Sequence, residues 1–76
     1  MIVVSEVILY TRNKCPLCEE VRNLITLFNV DVIEIDIETD PVLLENYMFE
    51  VPVLKIDNYE LDYRSIDYFE LEKRLQ

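Results

Sequence analysis

Apolar and polar residues alternate with a changing period along the chain, and each change of period marks the boundary of a predicted element. Residues 2–4 and 7–10 are apolar and rich in β-branched side chains, so they predict one interrupted strand. Because this run is almost continuously apolar, we expect the strand to be central and covered on both faces. From residue 17 to residue 28 the apolar positions follow helical spacing and predict an amphipathic helix. Residues 32–37 alternate between apolar and acidic side chains, which is typical of a half-buried strand.

A second helix and a third strand are predicted in the middle of the chain. Asp40 and Pro41 are residue types that favour the N-cap and the first position of a helix. We expect this helix to be short and to end near residues 48–49. Residues 51–56 predict the next strand, with a proline near its start, where strands tolerate proline best.

A hairpin and a final helix are predicted at the C-terminal end. The chain contains no glycine, so left-handed turn positions must fall to Asn or Asp. Residues 57–58 predict a tight turn, in which Asn58 is a residue that tolerates a positive φ. Residues 59–61 should pair back as an edge strand. Ser65 or Asp62 is expected to cap the last helix. The predicted apolar face of that helix carries Ile66, Phe69, Leu71 and Leu75.

The predicted order of elements is β-α-β-α-β-β-α, which places the chain in the α/β class. A strand, a helix and a strand within this length predict a right-handed βαβ unit with two parallel strands. The 76 residues are enough for one small hydrophobic core, so we assign residues 1–76 to a single domain.

The charge and the cysteine count exclude several classes of function. The net charge of −9, from 16 acidic and 7 basic residues, argues against nucleic acid or an anionic membrane surface as a partner. Ser5 and Glu6 break the longest apolar run, so we expect neither a signal peptide nor a transmembrane helix. Two cysteines without an export signal then indicate a cytoplasmic protein with catalytic thiols rather than a secreted disulfide framework.

The two cysteines, Cys15 and Cys18, lie where the first strand gives way to the first helix. A helix N-terminus stabilises a thiolate through its unpaired N–H groups and its dipole. Lys14 adds a positive charge beside Cys15, and Arg12 can add another. Glu19 and its neighbour Glu20 oppose thiolate formation, so we expect only a modest lowering of the Cys15 pKa.

The spacing of the cysteines also predicts unequal exposure. Cys18 falls towards the buried stripe of the helix, while Cys15 lies outside the first turn. A nucleophile and a resolving thiol need this asymmetry, because one must be accessible and the other shielded. Pro16 falls at the first helical position, where its missing N–H is not needed.

Two sequence segments resemble the glutaredoxin-like branch of the thioredoxin fold in its minimal form. They read VILYTRNKCPLC at residues 7–18 and VPVL at residues 51–54. The element order is similar over nearly the whole chain, and the resemblance implies a four-stranded mixed sheet flanked by helices. It also implies that Cys15 attacks a substrate disulfide and that Cys18 resolves the mixed disulfide, with no cofactor besides this redox-active pair.

The resemblance further implies how a substrate is held. Pro52 would be the family's cis-proline beside the cysteines, an isomer that costs only about 0.5–1 kcal/mol for an X-Pro bond. Its use would be to present the backbone of Val51, with which a substrate segment can pair as an added strand. Tyr10 and Lys14 would flank the same surface.

The sequence departs from two better-known patterns. Leu9 stands where thioredoxins carry a buried carboxylate, and Lys14 stands where they carry an aromatic residue, which favours the glutaredoxin side. Glutaredoxins that use glutathione carry a Gly-Gly and an Asp after the last strand. Asp62 or Asp67 could replace that Asp, but no residue replaces the glycines. We therefore expect the substrate to be a protein or low-molecular-weight disulfide, and an upstream thiol reductant to reduce the cysteine pair again. We also expect the protein to be a monomer.

Other interpretations of the same residues stay open. Zinc takes four ligands, and with no histidine and no third cysteine only a dimer could supply four thiolates or a bridged cluster. A purely structural disulfide across so few residues would remove little entropy from the unfolded chain. Pro52 could also start an edge strand in trans. Finally, the fold could serve as a binding or redox-sensing module without catalytic turnover.

Overall fold

A computed structural model describes residues 6–75 of the chain, and it confirms the predicted element order and the α/β class. The predicted strand segment 2–4 lies outside the described residues. The strands are β1 (Val7–Thr11), β2 (Ile33–Asp36), β3 (Val53–Ile56) and β4 (Tyr59–Leu61). The helices are α1 (Pro16–Ile25), α2 (Pro41–Tyr47) and α3 (Tyr68–Leu75), with a short 3-10 helix (Ile37–Thr39) before α2.

The four strands form one mixed sheet in the order β2-β1-β3-β4. β1 runs parallel to β2 and antiparallel to β3, and β3 pairs with β4 in an antiparallel hairpin. The register pairs Tyr10 with Ile35 on one side and with Val53 on the other. The predicted parallel pair on either side of the first helix is therefore confirmed.

β1 is buried along its whole length because helices cover both faces of the sheet. On one face, α1 and α3 pack over a cluster that includes Leu9 and Leu54, which are cross-strand partners and fully buried. On the other face, Ile8, Tyr10 and Val53 pack with Ile37 and the side chains of α2. Burying one leucine stabilises the fold by about 1.5–3 kcal/mol. The expectation of a central strand covered on both faces is thus confirmed.

Side-chain caps decide where the elements around α2 begin. β2 ends at Asp36, one residue earlier than predicted. The carboxylate of Asp36 accepts the N–H of Glu38 at 2.9 Å and caps the 3-10 helix that follows. Asp40 caps α2 as predicted, accepting the N–H of Val42 at 2.9 Å. The helix ends at Tyr47, one residue before the predicted end.

The first helix is shorter than predicted. It ends at Ile25, and the N–H of Phe28 donates to the Ile25 carbonyl at 2.9 Å in a tighter turn. Phe28 remains buried, so its apolar character was informative about the core but not about the helix.

Two predictions near the C-terminal end are wrong. Neither Ser65 nor Asp62 caps α3, because Asp67 accepts the N–H of Glu70 at 2.8 Å and Asp62 instead closes the turn after β4. The helix therefore starts later, and Phe69 is exposed instead of lying on its apolar face.

The turn between β3 and β4 has its positive φ at an aspartate, one of the two residue types expected there. Asp57, and not Asn58, has the positive φ, at 51°. Asp57 accepts the Glu6 N–H at 2.9 Å through its carboxylate and donates its own N–H to the Glu6 carbonyl at 2.8 Å. These two bonds explain why the strained position falls on Asp57. Among residues 6–75, no helix is long and apolar enough to cross a membrane.

Candidate functional site

The two cysteines lie in the loop that connects the buried strand β1 with helix α1. Cys15 is the N-cap of α1 and has an extended backbone, with φ −112° and ψ 102°. Its Sγ accepts the backbone N–H of Cys18 at 3.1 Å, so the sulfur occupies the position of a helix-capping oxygen. A disulfide joins Cys15 and Cys18, and their Cα atoms are 5.3 Å apart, well within the range that a disulfide spans.

The two sulfurs differ in access to solvent. Cys18 is only 1% exposed and begins the row of buried residues of α1 that continues with Val21 and Ile25. Cys15 is partly exposed at the end of the helix. Because thiol–disulfide exchange requires in-line approach to a sulfur, an outside thiol can reach Cys15 and not Cys18.

A cis peptide bond between Val51 and Pro52 precedes β3. Since Val53 pairs with Tyr10, this bond lies at the end of the sheet from which the cysteine loop leaves β1. Pro52 is buried and Val51 is half-buried.

An apolar cleft lies beside Pro52. It has a volume of about 140 Å³. Leu17, which lies between Pro16 and Cys18 in the sequence, also lines it. The sequence did not indicate this cleft, because its far wall comes from the irregular segment after β4. The lining residues are Leu17, Glu20, Val21, Leu24, Pro52, Tyr63 and Ile66.

A second, polar cleft of about 430 Å³ is lined by Cys15 itself. Lys14 lines it from a backbone with φ 56°, a left-handed conformation that costs a non-glycine residue free energy. The charged residues around this cleft are of both signs: Arg12, Lys14, Glu19, Arg22, Glu34 and Asp36. The field at Cys15 is therefore mixed, as the opposition between Lys14 and Glu19 suggested.

Arg12 was predicted to add positive charge near the thiol, and the structure shows which groups its guanidinium contacts. Its Nε donates to Glu38 Oε1 at 3.1 Å, and its Nη1 donates to the carbonyl of Met48 at 3.4 Å. Glu38 thus compensates the guanidinium, and Arg12 connects the cysteine loop with the segment that leads to Pro52. No sequence spacing indicates such a contact between distant segments.

An ion pair that the sequence did not predict connects α1 with β2 at the polar cleft. Arg22 donates to the two carboxylate oxygens of Glu34 at 2.6 and 3.0 Å. The hydrogen bond to Glu34 raises the pKa of Arg22 and outweighs burial, which acts in the opposite direction. Both side chains are substantially exposed, so the pair adds little to stability.

Tyr10 lies beneath the site rather than on its surface. It is buried, and its ring stacks on Tyr47 with centroids 4.8 Å apart and an interplanar angle of 16°. Direct contact between the Tyr10 side chain and a substrate stays a prediction. Within residues 6–75, no group of three or more histidine, cysteine, aspartate or glutamate residues is arranged to hold a metal ion.

A partly exposed cysteine at a helix N-terminus, a buried partner three residues on and a nearby cis-proline define a thioredoxin-fold protein of the glutaredoxin-like type. A model of the Glutaredoxin-like domain family (DUF836) matches residues 6–76, and the chain belongs to this family. The resemblance inferred from the two sequence segments is confirmed.

Solved structures share the fold over most of their length. The X-ray structure of Northeast Structural Genomics target protein XcR50 from X. campestris is 28% identical, with a TM-score of 0.79 over 88% of this chain and 91% of that one. The thioredoxin-like protein BC3987 is 25% identical, with a TM-score of 0.72 over 92% of this chain and all (100%) of that one. A mutant of BC3987 superposes with a TM-score of 0.74 at 20% identity and covers 93% of this chain and 100% of its own. No curated protein matches the chain.

Proposed function

We propose that this protein is a dithiol–disulfide oxidoreductase that reduces disulfides of proteins or of low-molecular-weight thiols through Cys15 and Cys18. The observation that carries the proposal is the unequal access to two sulfurs that already form a disulfide. A structural disulfide has no need for one reachable sulfur, whereas an exchange reaction does.

The reaction begins with both thiols reduced. The Cys15 thiolate, which accepts the Cys18 N–H at the helix N-terminus, attacks one sulfur of the substrate disulfide and forms a mixed disulfide. The other substrate sulfur leaves as a thiolate and takes a proton from water. Cys18 then loses its proton and attacks Cys15 Sγ, which releases the second substrate thiolate.

Two electrons pass from the protein to the substrate in this sequence. The protein ends with the Cys15–Cys18 disulfide, which is the state of the structure. An upstream thiol reductant returns the pair to the dithiol form by the reverse exchange. In a reducing cytoplasm the pair therefore works as a reductant, and the protein acts as a monomer.

In this proposal the substrate is held beside Pro52. The backbone of Val51 can accept a substrate segment as an added strand, and Leu17 and Pro52 offer it an apolar cleft. The cleft's charged lining residue is Glu20, which does not favour the two carboxylates of glutathione. These features support a polypeptide substrate over glutathione, in agreement with the missing glycines.

The test is turnover of a small disulfide, such as hydroxyethyl disulfide, with a thiol reductant in excess. We expect Cys15→Ser to abolish turnover, because it removes the nucleophile. With the thiol reductant removed after reduction of the protein, Cys18→Ser should accumulate a mixed disulfide on Cys15, which intact-protein mass spectrometry detects as the added mass of one substrate half. The proposal fails if Cys15→Ser retains wild-type turnover, or if wild-type protein reduces neither the small disulfide nor a peptide disulfide.

The direction of the reaction is tested separately. Equilibration in thiol–disulfide buffers gives the reduction potential of the Cys15–Cys18 pair, which for such pairs lies between roughly −270 and −120 mV. A pair that stays oxidised at a cytosol-like glutathione potential would contradict a reductant and indicate an oxidant or a redox sensor.

A further inference from the structure

The turn after α2 holds a bulky aromatic side chain out into solvent. We call residues Met48, Phe49 and Glu50 the 48–50 turn, and the N–H of Glu50 closes it by donating to the Tyr47 carbonyl at 2.9 Å. Phe49 is 84% exposed, and Met48 beside it is exposed as well. Folding gains almost nothing from the Phe49 side chain, whereas Met48 is 37% exposed. Neighbouring exposed apolar groups are typical of interaction surfaces.

The 48–50 turn is attached to the cysteine loop. Arg12, three residues before Cys15, donates to the Met48 carbonyl at 3.4 Å and pairs with Glu38 at 3.1 Å. The turn is also close to Val51 in the chain, since Phe49 precedes it by two residues. A substrate segment that pairs with the backbone of Val51 would therefore pass beside Phe49.

The surface around the 48–50 turn is acidic. Between Arg22 and Lys55 the sequence contains neither lysine nor arginine. Arg12, which reaches this surface from the cysteine loop, is compensated by Glu38. Besides Glu38, the exposed acidic residues from the 3-10 helix to the turn are Asp40, Glu45 and Glu50.

We propose that the 48–50 turn is the docking surface for the protein substrate, and that it selects a polypeptide segment with an apolar side chain flanked by lysine or arginine. This inference rests on the proposed function and names the class of its substrate. The apolar side chain packs on Met48 and Phe49, and the flanking cations meet the acidic surface. A second copy of the chain is disfavoured as the occupant, because it would bring two acidic faces together.

The inference is tested by binding, without any covalent step. Isotope-labelled protein with the Cys15–Cys18 disulfide intact is titrated with two cysteine-free peptides, and the amide chemical shifts are followed. Both peptides carry the same central leucine and phenylalanine, flanked by lysines in one and by glutamates in the other. At low ionic strength we expect the lysine peptide to bind about tenfold more tightly and to shift the amides of the 48–50 turn.

The chain offers a matched control for the aromatic contact. Phe69 is 79% exposed and lies on α3, which packs on the opposite face of the sheet from α2. We expect Phe49→Ser to raise the Kd for the lysine peptide about fivefold or more, while Phe69→Ser leaves it within about twofold of wild type. Both side chains are exposed, so both variants should fold, which thermal unfolding checks.

The possible outcomes distinguish a failure of the docking surface from a failure of the proposed disulfide reduction. Equal effects of Phe49→Ser and Phe69→Ser, or equal affinity for the two peptides, would overturn the docking surface even if disulfide turnover is normal. Concentration-dependent shifts of the 48–50 turn without peptide would also overturn it, because they would assign the surface to a second copy. If the lysine peptide binds as expected but no disulfide is reduced, the docking surface stands and the proposed function fails.

Discussion

The hydroxyl of Tyr47 donates a 2.7 Å hydrogen bond to the carboxylate of Glu60, which joins the end of α2 to the edge strand β4. The ring of the same tyrosine stacks on Tyr10 of β1. One side chain thus connects α2 with two strands, including the strand that leads to Cys15. The hydrogen bond to Glu60 raises the pKa of Tyr47 to about 12, and burial acts in the same direction.

This hydrogen bond predicts a loss of stability at alkaline pH. An ordinary tyrosine pKa is about 10, so the folded state holds the Tyr47 proton more tightly than the unfolded state. The stabilisation is complete below about pH 10 and is lost as the pH rises through about 12. Near pH 8 we expect Tyr47→Phe to be less stable by about 1 kcal/mol, measured by urea unfolding. The difference should shrink between about pH 10 and pH 12.

A control for this prediction is Tyr68→Phe, which removes a hydroxyl from a ring exposed on α3. Its stability near pH 8 should stay within about 0.5 kcal/mol of that of wild type. A difference between wild type and Tyr47→Phe that stays constant up to about pH 12 would show that the hydrogen bond does not govern the titration.

The hydrophobic core between the sheet and the helices α1 and α3 predicts a large loss of stability when the Leu9 side chain is shortened. This side chain is fully buried between β3 and the helices α1 and α3, so Leu9→Ala leaves a cavity that its neighbours cannot fill. We expect the free energy of unfolding to fall by about 2–5 kcal/mol, measured by urea unfolding with the disulfide intact. Leu27→Ala, at a side chain that is 67% exposed, should change it by less than about 0.5 kcal/mol. Similar losses for the two variants would be incompatible with the described core.

The cap of α2 predicts a smaller and local effect. Asp40 accepts the N–H of Val42, and Asp40→Ala leaves this donor without its partner. We expect a loss of about 0.5–2 kcal/mol in the free energy of unfolding. Glu45→Ala, an exposed residue within α2, removes the same charge without a cap and is the matched control. If both variants lose the same free energy, the effect comes from charge and not from capping.

The contact between Arg12 and Met48 predicts a change in local motion. Arg12→Gln removes the ion pair with Glu38 and weakens the hold on the 48–50 turn. Because the pair is exposed, global stability should fall by less than about 1 kcal/mol. NMR relaxation measurements should nevertheless show lower backbone order parameters for residues 48–50. Arg64→Gln, at an exposed arginine near Asp62, should leave this segment unchanged.

Local sequence patterns were sufficient for much of the fold. The continuous apolar run of β1 indicated burial on both faces, and the cap formed by Asp40 follows from its own residue type and position. Residues 59–61 were predicted as a strand with the bounds that the structure gives. The unequal exposure of Cys15 and Cys18 also followed from helical spacing, although their roles in catalysis stay predictions.

The sequence was least informative where the outcome depends on competition between similar residues or on distant contacts. Asp62 and Asp67 are equally good caps by residue type, and only the path of the chain after β4 decides between them. Asp57 takes the positive φ because Glu6, far away in sequence, is bonded to it. The partners of Arg12 come from two segments that only the folded sheet brings to the cysteine loop, so its role in the site could not be deduced from spacing.

The helices on the two faces of the sheet bury their side chains to different extents, and this has a consequence for local unfolding. β1 lies between two strands and under helices on both sides, so its amide hydrogens can exchange with water only when the whole domain unfolds. No side chain of α2 is fully buried, whereas α1 and α3 contribute buried residues to the larger cluster. We therefore expect the amides of α2 to exchange through a local opening that costs less free energy than global unfolding. Such an opening would detach α2 and the acidic surface around the 48–50 turn while β1, which leads to the cysteine pair, stays intact.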